Sequence, residues 1–387
     1  MNVGFFSSMN GGPWGGSEEL WAAAARAGLT AGHGVRVSVL RWRPRAEAID
    51  ALARDGATVC ERPRFRSKRM RRLAAAATLH DWRFAPTSLD VLCICQGGTY
   101  DFLAQHQPAT VEQVTDGGRV PYVVVCQYND ERSIPSPALR ERARAFFQRA
   151  SKVVFVAEQN RRLASRQLAC ELPTAVVLNN PVNLSDAAVL AWPAPSPEGA
   201  RLACVARFSV RHKGQDVLLE ALAAPAWRDR AWRLRFYGGG PDEAYVRALV
   251  AYYGLEARID FMGHVSDIRA LWCDNELLVL PSYGEGTPLS LLEAMLCGRP
   301  AVVTDVGGSA EWVAEGETGF VAAAPTARSV GDALERAWSV RERWRAMGDA
   351  ARLRVVGRYD PTPGRSLLAM LEQGARRPVP LAAPEHA

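Results

Sequence analysis

Short apolar runs rich in β-branched residues punctuate the chain, and longer stretches with helical spacing lie between most of them. In the first half the runs are "NVGFFSS" (2–8), "GVRVSVLRW" (34–42), "ATVCER" (57–62), "DVLCICQG" (90–97), "YVVVCQ" (122–127), "KVVFVAE" (152–158) and "TAVVLNN" (174–180). They are apolar almost throughout rather than alternating, the pattern of parallel strands covered on both faces. Helical spacing predicts helices over 17–31 and 136–150 among others. The stretch "PVNLSDAAVLAWPAPSPEG" (181–199) holds four of the chain's 24 prolines and reads as a linker. Strand patterns then resume at "RLACVARF" (201–208), "WRLRFYG" (232–238), "RIDFMG" (258–263), "LLVLPS" (277–282), "PAVVTDV" (300–306) and "GFVAA" (319–323).

Two βαβ series in 387 residues predict two doubly wound α/β, Rossmann-like domains facing across a cleft. The expected division is 1–182 for the first domain, 183–199 for the linker and 200–360 for the second. A C-terminal helix is expected over 361–376, packing back on the first domain, with 377–387 ("RPVPLAAPEHA") a disordered tail.

Composition narrows the class. Hydrophobic residues make up 48% and charged residues 23%, a soluble globular balance. No apolar run approaches the length of a bilayer span, and "MNVGFFSSMNGG" has neither a basic n-region nor an h-region. A cytoplasmic protein without a signal peptide is therefore expected. The eight cysteines include no Cys-x-x-Cys pair, and several lie in strand patterns, so free buried thiols are expected. The net charge is +6 and the pI about 9.0. Seven Lys or Arg crowd into "RPRFRSKRMRR" (62–72). That run reads either as a solvated face or as a dock for an anionic surface, such as the inner face of a membrane, or for an anionic acceptor. Nucleic acid is disfavoured, because no aromatic platform or nucleic-acid motif accompanies the charge.

In open α/β sheets ligands bind beyond the carboxyl ends of the strands. After the first strand comes "MNGGPWGGSEEL", where Gly15 and Gly16 would let a ligand approach the backbone and Ser17 would cap the following helix. After the strand near 201–208, Arg207 and Lys213 flank one loop and could grip a diphosphate. Gly238, Gly239 and Gly240 end another strand, and His264 and Val265 follow a third. The stretch "YGEGTPLSLLEAMLCGRP" (283–300) places Glu285 in a strand-end loop. In it Thr287 is expected as N-cap and Pro288 as first helical residue. The amides of Leu289 and Ser290, beside Gly286, would face phosphate oxygens. Glu293, eight positions after Glu285, shares the helix face of Leu289 and Ser290 and leans towards the helix start. Two carboxylates of this kind suit pairs of sugar or ribose hydroxyls.

These residues together resemble the retaining glycosyltransferases of family 4, which have the GT-B fold. The resemblance runs through most of the chain and is strongest from Arg201 to Val321. The two glutamates match Glu285 and Glu293, the basic pair Arg207 and Lys213, and the glycine-rich phosphate loop Gly15-Gly16. The resemblance implies sugar transfer from a nucleoside diphosphate sugar with the anomeric configuration retained, to a hydroxyl of a glycan, lipid-linked or small-molecule acceptor. UDP-sugars are the first expectation and GDP-mannose the second. It implies Glu285 on the sugar, Glu293 on the ribose, and Arg207, Lys213 and the amides of Gly16, Leu289 and Ser290 on the diphosphate. No cofactor and no metal are expected, since no Asp-x-Asp occurs. Many members carry histidine on the acceptor side where this chain has Gln96 and Gln127, with Asn129 close by. An acceptor site unlike that of the best-known members is expected. Rival readings are a GT-B nucleotide-sugar epimerase or hydrolase and a non-catalytic sugar-nucleotide-binding subunit. A Rossmann dehydrogenase is disfavoured by the absent dinucleotide fingerprint.

Overall fold

The computed structural model describes residues 1–64, 86–106, 108–184 and 190–376. The chain forms two compact units, Met1–Pro181 with Asp360–Ala387, and Val182–Tyr359.

The first unit holds a seven-stranded parallel sheet. Its strands are β1 (Asn2–Ser7), β2 (Gly34–Leu40), β3 (Thr58–Arg62), β4 (Val91–Gly98), β5 (Tyr122–Tyr128), β6 (Lys152–Phe155) and β7 (Ala175–Val177), in the order β3-β2-β1-β4-β5-β6-β7. The apolar runs are explained by two cores, one on each face. Val3, Phe5, Cys93, Cys95, Val123 and Val125 face one core, while Phe6, Leu92, Ile94, Val124 and Cys126 face the other. Successive residues of one strand therefore both need apolar side chains. The predicted helices 17–31 and 136–150 are Gly16–Thr30 and Pro137–Arg149.

The last described helix, Pro363–Ala375, belongs to this first unit. Leu367 and Leu371 share a core with Leu20 and Trp21 of the helix Gly16–Thr30. Gly364 lies so close to Ala23 that a Cβ there would meet its backbone. His33 Nε2 and Glu372 Oε1 lie 3.0 Å apart beside this contact.

The second unit holds a six-stranded parallel sheet. Its strands are β8 (Ala200–Val205), β9 (Trp232–Tyr237), β10 (Ile259–Gly263), β11 (Leu277–Leu280), β12 (Ala301–Thr304) and β13 (Gly319–Ala322), in the order β10-β9-β8-β11-β12-β13. This is the doubly wound order, whose direction of winding reverses between β8 and β11. Leu202, Cys204, Leu277 and Val279 face one core, and Ala203, Leu278 and Leu280 the other.

Every predicted strand exists, most ending a residue or more early. All eight cysteines are free; six are buried and Cys273 is exposed. Of the basic run 62–72 only Arg62, Pro63 and Arg64 are described, and Arg62 is buried rather than solvated. Residues 65–72 and the expected tail 377–387 lie outside the described residues. Among the described residues no helix is long and apolar enough to cross a membrane.

Leu367 is fully buried, so Leu367→Ala should cost about 2–5 kcal/mol of stability. Leu353→Ala, at a position 69% exposed, should change it by less than about 0.5 kcal/mol. Urea denaturation of both variants checks the pair.

Candidate functional site

The reversal of winding in the second unit brings the loops after β8 and β11 together. Lys213 ends a short helix, Val210–Lys213, and its Nζ lies 2.6 Å from Glu285 Oε1. Ser282, the second residue after β11, donates its Oγ to the same oxygen at 2.7 Å. Ser282 is held in turn by Thr304 Oγ1, which donates to its carbonyl at 2.6 Å. The Glu285 side chain is 7% exposed and that of Lys213 26%. An ammonium and a hydroxyl therefore fix one carboxylate oxygen at the ligand edge of the sheet.

Local backbone makes this possible. Gly214 has φ +62°, and a Cβ on it would collide with the Pro281 carbonyl oxygen. The Tyr283 amide donates to the His212 carbonyl at 2.8 Å, so the two loops are tied directly. Arg207 is exposed at the same edge, and the fully buried Gln215 donates Nε2 to its carbonyl at 2.9 Å. Beneath them burial pushes the Cys204 thiol up to about 12, opposed by Lys213 and reinforced by Glu285.

The helix after Glu285 is Leu289–Leu296, with Pro288 at its N-cap in extended conformation. It therefore starts one residue later than expected. Thr287 lies before the cap, buried, because Pro288 holds ψ at 121° and so cannot be the first helical residue. Leu289 and Ser290 become the first two helical residues, whose amides have no intrahelical acceptor. Gly286 accepts at its carbonyl from the Gly308 amide at 2.6 Å. Glu293 is 4% exposed, and its Oε1 accepts from the Asn183 amide at 3.4 Å. The unit's entering segment thus touches this carboxylate, a contact without a sequence signature.

The glycine run after β9 has a structural use. A Cβ on Gly238 would meet the Ala206 carbonyl, and one on Gly240 the Phe208 carbonyl, so both let this loop pack on the loop of Arg207. Gly239 faces open space. His264 is exposed and Val265 half-buried after β10, and Gly238 donates its amide to the Gly263 carbonyl at 2.7 Å.

In the first unit the helix after β1 begins at Gly16, with Gly15 as its N-cap and no side-chain cap. Ser17 is the second helical residue, so it is not the cap; the extended backbone at Gly15 takes that place. Gly15 has φ −176°, open to any residue, and nothing lies within 4 Å of a Cβ built there. Packing does not demand a glycine at this position, which leaves room for a ligand.

Glu18, one residue beyond Ser17, was not singled out by sequence. Ser7 Oγ donates to its Oε2 at 2.8 Å. Arg62, at the end of β3, stacks 3.7 Å over the Phe6 ring and donates to the Ser7 carbonyl. Burial raises the Glu18 carboxyl to about 7 against Ser7, Trp21 and Arg62, and burial lowers Arg62 to about 9. Burial, helped by Arg62, also lowers His106 to about 4.

The acceptor-side candidates are only partly occupied: Gln127 Nε2 and Asn129 Nδ2 are buried with no hydrogen-bond partner among the described residues. Gln96 donates Nε2 to the Thr99 carbonyl at 2.7 Å and accepts from the Phe102 amide at 3.1 Å, bracing the turn after β4. Gln127 accepts from Asn180 Nδ2 at 2.7 Å. Asn129 accepts from the Asp130 amide at 3.0 Å. All three are buried.

Comparison with known proteins fits this geometry. Residues 199–340 match the family described as Glycosyl transferases group 1. An exopolysaccharide phosphotransferase of Streptomyces coelicolor is 35% identical over 39% of this chain and 15% of its own length. The N-acetyl-alpha-D-glucosaminyl L-malate synthase of Bacillus anthracis is 32% identical over 33% of each chain. The matched stretch thus spans a third or less of these curated relatives. The crystal structure of HepE from Anabaena in complex with UDP is similar over 96% of this chain and 100% of that one, with TM-score 0.73 and 19% identity.

The raised Glu18 carboxyl has a testable consequence. The folded state holds a proton that the unfolded carboxyl, at 4.5, releases. Its contribution to stability is therefore lost as pH rises from about 4.5 to about 7. His106 acts oppositely, losing stability as pH falls below its ordinary 6.5. The difference between wild type and Glu18→Gln should isolate the first effect: wild type should decline relative to the variant across pH 5–7. Thermal melts in a pH series read it, and parallel curves would remove Glu18 from the titration.

Both units share the GT-B fold of the HepE structure, and residues 199–340 match the family described as Glycosyl transferases group 1.

Proposed function

We propose that this protein is a retaining glycosyltransferase of family 4. It moves a sugar from a nucleoside diphosphate sugar, UDP-linked by preference and GDP-mannose as second choice, to a hydroxyl of a glycan, lipid-linked or small acceptor. The observation that carries the reading is the Lys213–Glu285–Ser282 constellation at the reversal of the second sheet, inside the family-matched residues. The HepE structures, solved with UDP and with UDP-glucose, support a UDP-sugar as donor.

In this reading the bond between the anomeric carbon and the β-phosphate oxygen breaks, and the acceptor oxygen bonds the same carbon on the same face. The acceptor proton passes to the departing phosphate oxygen. Negative charge therefore grows on the diphosphate. Arg207, Lys213 and the amides of Leu289 and Ser290 stabilise it, with the amide of Gly16 as a further donor. Glu285, fixed through one oxygen, orients the sugar hydroxyls, and Glu293 takes the ribose. The reaction needs neither a metal clamp nor a cofactor, because guanidinium and ammonium supply the positive charge. Gln96, Gln127 and Asn129 support the acceptor loops of the first unit. The protein works in the cytoplasm.

Thermal shift against a panel of sugar nucleotides tests donor binding directly, since a ligand of the folded state stabilises it by mass action. No shift with any UDP- or GDP-sugar would overturn the reading.

Glu285→Gln should lower kcat by about 100-fold or more while nucleotide affinity stays within about threefold, because the sugar contact matters most in the transition state. Glu293→Ala should instead weaken nucleotide binding, by about 1–3 kcal/mol. Calorimetry beside turnover separates the two.

Arg207→Ala, at an exposed position, should cost at least about 100-fold in rate without changing stability. Lys213→Ala should lose both, because it strands a buried carboxylate. EDTA should leave wild-type turnover unchanged. Activity lost in EDTA and restored by magnesium would contradict this arrangement.

A further inference from the structure

The ligand edge of the first sheet carries a charge arrangement that the donor chemistry does not use. Directly after β2 and at the end of β3, three guanidiniums converge on one carboxylate. Arg43 reaches Glu61 through Nη1 at 3.3 Å and Nη2 at 3.4 Å. Arg41 Nε and Arg45 Nε each stand 3.9 Å from a Glu61 oxygen. A fourth, Arg64, stacks 3.6 Å over the Trp42 ring. Asp50, 3.2 Å from Arg45, is the other acidic partner. Among the described residues, four positive and two negative side chains leave a net charge of +2 in this cluster.

Glu61 cannot saturate these groups. A carboxylate has two oxygens, while each guanidinium offers five N–H donors in a planar fork. Every one of the contacts to Glu61 and Asp50 exceeds the range of a good charge-assisted hydrogen bond. Like charges held this close repel unless an anion lies among them. The positions are also not those of an ordinary charged surface. Arg41 extends the parallel ladder through its amide, which donates to the Arg62 carbonyl at 2.8 Å, so the arginines stand at the carboxyl ends of strands. Of the four, Arg45 lines a small hollow with Trp42 and Glu61 that also touches Ser7, Met9 and the buried Glu18.

We propose that Arg41, Arg43, Arg45 and Arg64 bind the anionic group, a phosphate or a carboxylate, of a charged sugar acceptor. The inference rests on the glycosyltransferase reading for the word acceptor, but the site itself does not depend on it. Planar forks suit both oxyanions. This chain therefore selects acidic over neutral glycans, and the enzyme that precedes it in a reaction sequence must phosphorylate a sugar or introduce a uronic acid.

Isothermal titration with glucose 6-phosphate, glucuronate and glucose tests the proposal. Each titration is run with saturating UDP, so that any nucleotide site is filled; absence of a UDP signal would count against the glycosyltransferase reading alone. The charged sugars should bind at least about tenfold tighter than glucose, the scale of one charge-assisted hydrogen bond. The preference should shrink as salt rises. Arg41→Gln with Arg43→Gln, both at exposed positions, should abolish it, and Arg64→Gln alone should reduce it; melting curves check that the variants fold. The proposal is overturned by equal affinity for all three sugars, by a preference that survives the double substitution, or by binding only to phosphatidylglycerol vesicles.

Discussion

The parallel pairing of β8 with β11 is the constraint on which the candidate site depends. It sets Leu277 beside Leu202 and Leu278 beside Ala203. Two loops far apart in sequence then emerge side by side where the winding of the sheet reverses. Lys213 and Glu285, separated by 72 positions, meet only because of that pairing. The close approach also needs Gly214, since any side chain there would push the Pro281 backbone away. Strand order, one glycine and one ion pair thus form a single chain of cause. Disturbing the first link would separate Lys213 from Glu285.

The two units treat buried charge differently. In the second, Glu285 is matched by an ammonium and a hydroxyl on one oxygen, a compact solution for a carboxylate at the edge of a sheet. In the first, Glu18 and Arg62 are both deeply buried, and burial outweighs their mutual attraction, moving both groups towards neutrality. A titratable group of this kind beside the glycine-rich loop makes the loop's surroundings sensitive to neutral pH. The arginines just beyond it form a third case, in which, among the described residues, four positive side chains face the two carboxylates of Glu61 and Asp50.

Much of this was legible in the sequence. Parallel strands covered on both faces read as continuous apolar runs, so each strand, the two series and the break between them could be seen. The loops at the strand ends were legible because glycine, proline and charge cluster there. What escaped was anything decided by packing across the fold. Ser282 looks like any polar residue after a strand until Thr304 fixes its backbone and Glu285 accepts its hydroxyl. Gly238 and Gly240 suggested room for a ligand, and they also make room for the neighbouring loop, which no spacing rule shows. Arg62 belonged to a basic run that read as one solvated or docking surface, yet it is the buried end of β3. The cap residues were misplaced by two positions at one helix and by one at the other, because Gly15 and Pro288 adopt extended backbone that a propensity rule assigns to Ser or Thr.

The central claim is that the second unit holds a nucleoside diphosphate sugar and that its bond breaks with retention. Proton NMR of the anomeric signal, recorded while the protein slowly hydrolyses the UDP-α-hexose it binds best, tests that claim most directly. The account predicts that the α-anomer of the free sugar appears first and that mutarotation follows. Release of the β-anomer first, or no consumption of any UDP- or GDP-sugar, would contradict it.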